Sequence, residues 1–521
     1  MEETLAKLVA LDGFSFNIIC RSEFIRSSMS LRGFSLPKSP ATVVSMVNGY
    51  FESAKNEVKQ ELVSLLSQEE KFSLTLDEFT SVRNRRYVNI NVHSKSSVWN
   101  LGMVRVKGSL PAESLLELVN LKLASFELSL EKDILAVTTD GAAVMKKFGR
   151  ICPAIQQLCF AHCIHLAVCD SIYSERTGLK PHDTDDQSTD EESIEGVEEE
   201  DISVLLNEDL QQTVTKVRKI CKTFRQSPEK NAKLQMYVKE SHGRELNLIL
   251  DVVTRWNSLL DMVERFLHLK ACVCKALIDF GMPFTLSEDE LCLLEEVRQA
   301  LKPLKEGSVA LGRADANLLT AEAIFQYMLK TLEKKSTSPI HRKIHEALKR
   351  RFNERKQVEV VALMRLLSDH KALESLEEDL LIGSSKPMVL RTAKTLMRRL
   401  FDAAEPEESV PGDREEDASD EDEPLDLEKM ISSATAPKKL KRDMGSRSLN
   451  KELGVYVEYG TMSKNLSLLK TALQTIKPTS LESERAFSVA GSFITKVRSS
   501  LSDRSVDMLC FLKAYFLAKK K

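Results

Sequence analysis

Three acidic residues stand where acids can do chemistry. Asp77 closes an alternating run in which Phe72, Leu74 and Leu76 are separated by polar residues. Asp140 follows an apolar run at 134–137 and the pair Thr138-Thr139. Both runs read as β-strands, so both carboxylates fall at strand ends, where neighbouring strands can direct them into one crevice. Two such acids invite a hard divalent cation, Mg2+ or Mn2+, bound through oxygen ligands. A pair of ions about 3.5–4 Å apart can clamp the attacking and leaving oxygens of a phosphodiester. That site needs a further carboxylate. At 478–488 the chain reads PTSLESERAFS. Thr479 and Glu482 have the spacing of a capping box, so a helix is expected to start there. With Glu482 engaged in the cap, Glu484 is the third candidate, although spacing alone does not select it from 77 acids. Each Asp taken singly is better explained as a turn cap, and only the pair brings the metal reading level with that explanation.

A second cluster tempts a metal reading. Cys159 and His162 form a Cys-x-x-His, with Cys152, Cys163, His165 and Cys169 close by in sequence. Structural zinc needs four ligands in paired spacings. Here Cys163, His165 and Cys169 fall on one apolar helix with Leu166, Ala167 and Val168, where buried free cysteine is common. Zinc is not expected. The ten cysteines are irregularly spaced and make no disulfide framework.

The elements that would position these groups follow from periodicity. Residues 1–70 read as helical, with a start signal at Ser39-Pro40. Three strands are expected at 72–77, 88–93 and 99–107, a helix at 112–130, a strand at 134–137, a helix at 142–149 and a short strand at 157–160. The order β-β-β-α-β-α-β suggests an α/β fold, a mixed sheet with helices on its faces. From His162 onward strand signals nearly vanish, and 205–402 is mostly helical. The last block, 451–521, is again helical. Its apolar stripe of Val506, Leu509, Cys510, Leu512 and Phe516, interrupted by Lys513, has ordinary core periodicity.

With 42% hydrophobic and 29% charged residues, the 521-residue chain can bury a large core, which excludes a wholly disordered or collagen-like chain. No apolar run reaches the ~18 residues of a membrane span, and the N-terminus lacks a signal-peptide core, so a soluble intracellular protein is expected. The net charge of −3 hides a partition. Residues 183–201 hold 11 acids and no Lys or Arg, and 405–428 hold 13 acids and one base. Without them the chain has 73 bases (74 − 1) and 53 acids (77 − 24), or +20. Two solvated acidic loops on a basic body fit a polyanion-binding protein, although an ordinary charged surface accounts for the same numbers. The cluster Pro437-Lys438-Lys439-Leu440-Lys441-Arg442 has the composition of a nuclear-import signal.

Five pieces taken in order resemble the hAT superfamily of DNA transposases: LTLDEFTS at 74–81, VTTD at 137–140, CFAH at 159–162, TRWNS at 254–258 and SERAFS at 483–488. The resemblance covers roughly residues 5–516 and is weakest at 339–451. It implies an RNase H-like core interrupted by a large helical insertion. The expected division is a helical region at 1–70, the first part of the core at 71–169, the insertion at 170–450, and a core helix with the family's dimerisation region at 451–521. It maps Asp77, Asp140 and Glu484 onto the family's catalytic, metal-binding acids. It places Arg255 and Trp256 beside DNA, with the Trp stacking on a flipped base, and puts Cys159 and His162 near the acids as further DNA-binding residues, His162 contacting DNA or positioning the acids. The implied protein is a nuclear, DNA-binding homodimer or higher oligomer that cuts and joins DNA with Mg2+ or Mn2+. The alternative is an inactive, host-adopted derivative acting through dimerisation and binding. No Cys-x-x-Cys followed by a His pair precedes Phe72, so the family's DNA-reading BED finger is expected to be missing.

Overall fold

The computed structural model describes residues 1–81, 84–173, 208–252, 256–335, 338–372, 386–401, 444–493 and 501–520. Both acidic runs, the basic cluster at 437–442 and Arg255 lie outside the described residues.

Alternating residues in the first part of the chain build one five-stranded sheet from β1 (Phe72–Thr80), β2 (Arg86–His93), β3 (Val98–Val106), β4 (Ile134–Thr139) and β5 (Ile155–Leu158). The strand order is β3-β2-β1-β4-β5. The first three strands pair antiparallel, and β4 and β5 run parallel to β1. The helices Ala112–Ala124 and Ala143–Ile151 make the two crossovers. Three expected boundaries move. β1 continues past Asp77 to Thr80, because β2 pairs with it as far as Thr80↔Arg86. The first crossover helix stops at Ala124 rather than 130, and Glu127 adopts a left-handed φ of 59° in the turn that follows. β5 ends at Leu158, and Phe160 already begins the helix Phe160–Ile172.

The period of two gives the sheet two unlike faces. Leu74, Leu76, Val88, Ile90 and Val92 are buried in one apolar cluster with the N-terminal helices, chiefly Pro40–Ser67. The C-terminal helix Asp503–Lys519 lies in that layer. Its Phe511 meets Phe51 edge-on at 5.2 Å, and Phe516 stacks on Tyr50 at 5.6 Å. The expected apolar stripe is thus buried within its own chain. Asp507 of this helix sits directly over Gly102, whose φ of 108° few other residues adopt, and accepts from the Met103 amide at 2.7 Å.

The opposite face carries Ser73, Thr75, Asp77, Asn89, Asn91, His93 and Thr138. Against it stand the segment that follows Leu473 and a second, all-helical body with its own apolar cluster. Its cluster takes in helix Phe160–Ile172 and helix Glu208–Gln226. Leu453, Tyr456, Leu469 and Ile476 are buried in it, so the chain returns to the sheet near Lys477. No helix among the described residues is long and apolar enough to cross a membrane.

Candidate active site

β1 and β4 pair in parallel with Thr75 opposite Thr138. Two residues further along each strand direction stand Asp77 and Asp140, at the same level. β4 ends just before Asp140 while β1 continues, so Asp140 opens a loop beside the half-buried Asp77. Both also serve as turn acceptors: Asp77 Oδ1 takes the Glu78 amide at 2.8 Å, and Asp140 Oδ1 takes the Ala142 amide at 3.1 Å. Asp140 is 9% exposed. The loop is braced from behind by Gln156, whose Nε2 donates to Thr139 Oγ1 at 2.8 Å and to the Met145 carbonyl at 2.6 Å.

The late segment is laid across these strands by specific hydrogen bonds. Ser73 and Thr475 hydroxyls lie 2.6 Å apart, Thr138 Oγ1 donates to the Lys477 carbonyl at 2.6 Å, and the Phe160 amide donates to the Pro478 carbonyl at 2.9 Å. Ser480 reaches both sides of the crevice: its amide donates to Cys159 Sγ at 3.4 Å and its hydroxyl to Asp77 Oδ2 at 3.4 Å. The helix Leu481–Phe493 then begins. The expected capping box is not its start. Glu482 instead forms an ion pair with Arg485 one turn on, and the Ser483 amide donates to the Ser480 carbonyl. The helix is fixed to the sheet by Phe487 stacked on Phe79 at 5.2 Å and by Asn91 Nδ2 donating to Ser483 Oγ at 3.0 Å.

Glu484 follows Ser483 directly. Burial pushes the Cys159 thiol up to about 11, and the negative charge of Glu484 makes a lesser contribution in the same direction. The buried thiol packs in the core and accepts from the Ser480 amide. Cys163 is likewise pushed up to about 12 by burial, and none of the ten cysteines is disulfide-bonded.

A buried polar layer supports the site. Asn91 Nδ2 also approaches Asn89 Oδ1 (2.8 Å) and Thr75 Oγ1 (3.2 Å), and Asn100 donates to Asn91 Oδ1 at 2.7 Å. His93, fully buried, meets Thr75 Oγ1 at 3.0 Å, and its Nδ1 has no hydrogen-bond partner. Burial, with a smaller contribution from Lys477, lowers its pKa to about 3, so the ring is neutral.

The other expected residues are distributed unevenly. His162 is half-buried beside the Asp140 turn: a Cβ at Gly141 would lie 3.9 Å from its Cδ2. Trp256, the first residue of helix Trp256–Asp279, is 4% exposed within the helical body's apolar cluster, where it anchors the insertion. Arg355 is a residue that sequence reading does not single out. It comes from the stretch with weakest family likeness and is buried against the same Asp140 turn, its Nη2 3.3 Å from where a Gly141 Cβ would be. Helix Pro339–Asn353 carries it there by packing along Phe160–Ile172. Two glutamines then tie the following turn to β5. Gln357 Nε2 donates to the Gln156 carbonyl at 2.6 Å, and Gln157 Nε2 to the Arg355 carbonyl at 3.3 Å.

The donor set of Asp77, Asp140 and Glu484 suits a hard cation in kind, being all carboxylate oxygen. Among the described residues, however, no group of three or more His, Cys, Asp or Glu side chains is gathered closely enough to hold a metal ion. Asp77 lies in β1, Asp140 follows the neighbouring β4, and the helix that carries Glu484 is docked on the same face of the sheet.

Comparison with known proteins bears on this architecture. Residues 158–300 match the family model described as the ZBED1 RNase-like helical domain. The chain is 25% identical over 353 residues to a candidate transcriptional regulator, tpeD, of Talaromyces stipitatus, a match covering 64% of this chain and 40% of that protein. It is 23% identical over 150 residues to zinc finger BED domain-containing protein 4 of Homo sapiens, covering 29% of this chain and 10% of that one. The matches thus span less than half the length of either relative. These likenesses relate part of the chain to BED-type proteins with an RNase-like helical domain.

Proposed function

We propose that this chain is a transposase-derived nuclear protein that acts on DNA, and that Asp77, Asp140 and Glu484 form its site for metal-dependent phosphoryl transfer. The observation that carries the reading is the placement of Asp77 within β1 and of Asp140 just past the end of the parallel neighbour β4, with the helix of Glu484 docked across the same face. Asp77, Asp140 and Glu484 would hold Mg2+ or Mn2+, which supplies charge stabilisation to a phosphodiester undergoing displacement. Ser480 and the Ala142 amide orient the two aspartates, and the buried asparagine layer fixes the glutamate helix. In this reading the chain works as a homodimer or higher oligomer.

A second reading, a catalytically silent DNA-binding regulator, is favoured by the open arrangement of the three acids. The name of the Talaromyces relative is consistent with it. Nicking of supercoiled plasmid in Mg2+ or Mn2+ separates the two. Phosphoryl transfer predicts nicking by the wild type and a loss of at least about 100-fold in Asp140→Ala, the scale on which a group stabilising transition-state charge acts. Equal nicking by both proteins would sink the catalytic reading, and DNA binding without nicking by either would establish the silent one.

A further inference from the structure

We propose that Arg355, Lys146 and His162 form an anion-binding site over Gly141 that takes a backbone phosphate of DNA; the inference deepens the DNA-directed reading above and rests on it. Arg355 is 6% exposed, yet its charge is poorly answered. Its Nη1 reaches the Arg351 carbonyl at 3.4 Å and Glu354 Oε2 at 3.5 Å, both at the limit of a hydrogen bond, and its Nε has no partner. A buried guanidinium so weakly paired is unfavourable unless an anion completes it. Its Nη2 lies against Gly141, where a Cβ would be 3.3 Å away, and the same position is 3.9 Å from Lys146 Cε and from His162 Cδ2.

A second feature faces the same place. The helix Ala143–Ile151 starts immediately after Gly141, with Ala142 as its N-cap and no side-chain cap. Its first-turn amides and positive dipole end are suited to an anion. Asp140 and Glu354 are the acids nearby. Asp140 directs one oxygen back to the Ala142 amide, and the Glu354 side chain is 46% exposed to solvent. The planar guanidinium fork matches phosphate oxygens, and glycine at 141 leaves the approach open. Because Arg355 comes from the helical insertion and Lys146 from the core, a bound phosphate would bridge the two.

The test is the salt dependence of binding to a short DNA duplex, followed by fluorescence anisotropy between roughly 50 and 200 mM salt, where each phosphate contact contributes about 0.9 to the slope of log K against log salt. Arg355→Gln and Lys146→Gln should each lower the slope by about 0.9, weakening binding about eightfold at ~0.1 M salt. Arg355→Lys, which keeps the charge, should keep the slope. Lys146 is exposed, so Lys146→Gln carries the test if Arg355→Gln fails to fold. Wild-type slopes in the folded variants would overturn the site and leave the DNA reading standing. No duplex binding by the wild type would overturn both. If inorganic phosphate raises the wild-type melting temperature but not that of Arg355→Gln, while the DNA slope is unchanged, the occupant is a free ion and the DNA assignment fails.

Discussion

His93 sets a pH signature for the core. Its folded pKa of about 3 lies below the ordinary histidine value of 6.5 because the charged ring cannot be solvated in the buried layer. Between those two values the unfolded chain binds a proton that the folded chain does not. Stability therefore rises with pH through this window, and falls on acidification by on the order of 1 kcal/mol per pH unit. Above the unfolded value both states are neutral and the contribution is flat. Urea denaturation at pH 5 and pH 7 should show this loss in the wild type, and His93→Gln should reduce it; an unchanged pH difference in the variant would mean that His93 is not the titrating group. Each of the two aspartates accepts from a neighbouring backbone amide, so a turn role is shown for both, and the proposed metal role would be added to it.

At the scale of elements, the crevice depends on how the late helix and the insertion are held. Trp256 is the large apolar group at the start of helix Trp256–Asp279, packed inside the helical body. Trp256→Ala should destabilise that body by about 3–5 kcal/mol through the cavity it leaves. Calorimetric unfolding tests this, and a change under ~1 kcal/mol would indicate that the ring is not a packing anchor. β1 and β2 are legible because apolar and polar residues alternate along them, as in Leu74-Thr75-Leu76 and Val88 to His93, and β4 is legible as a short apolar run buried on both faces. Strand ends are less legible: β1 outruns Asp77 because β2 continues to pair with it, a tertiary fact. A strand-end reading fits Asp140, which follows β4 directly, but not Asp77, which lies inside β1, and Glu484 is singled out only through family likeness. Arg355 carries no local signal, because its place beside Gly141 is set by packing between helices Pro339–Asn353 and Phe160–Ile172.

At the scale of the whole molecule, the proposed site would draw on distant parts of the chain. Glu484 lies 407 residues after Asp77 (484 − 77). The hydrogen bonds from Thr138 to Lys477 and from Asn91 to Ser483 bring the late segment back after the helical excursion. If three carboxylates from this path share one hard cation, Mn2+ binding reports it most directly. Electron paramagnetic resonance would follow the ion on the wild type and on Asp77→Ala, Asp140→Ala and Glu484→Ala, each verified as folded. A shared site predicts one bound Mn2+ in the wild type that every one of the three substitutions weakens by at least about tenfold, roughly 1.4 kcal/mol. Wild-type Mn2+ binding in all three variants would contradict it, because the ion would then be held elsewhere on the chain.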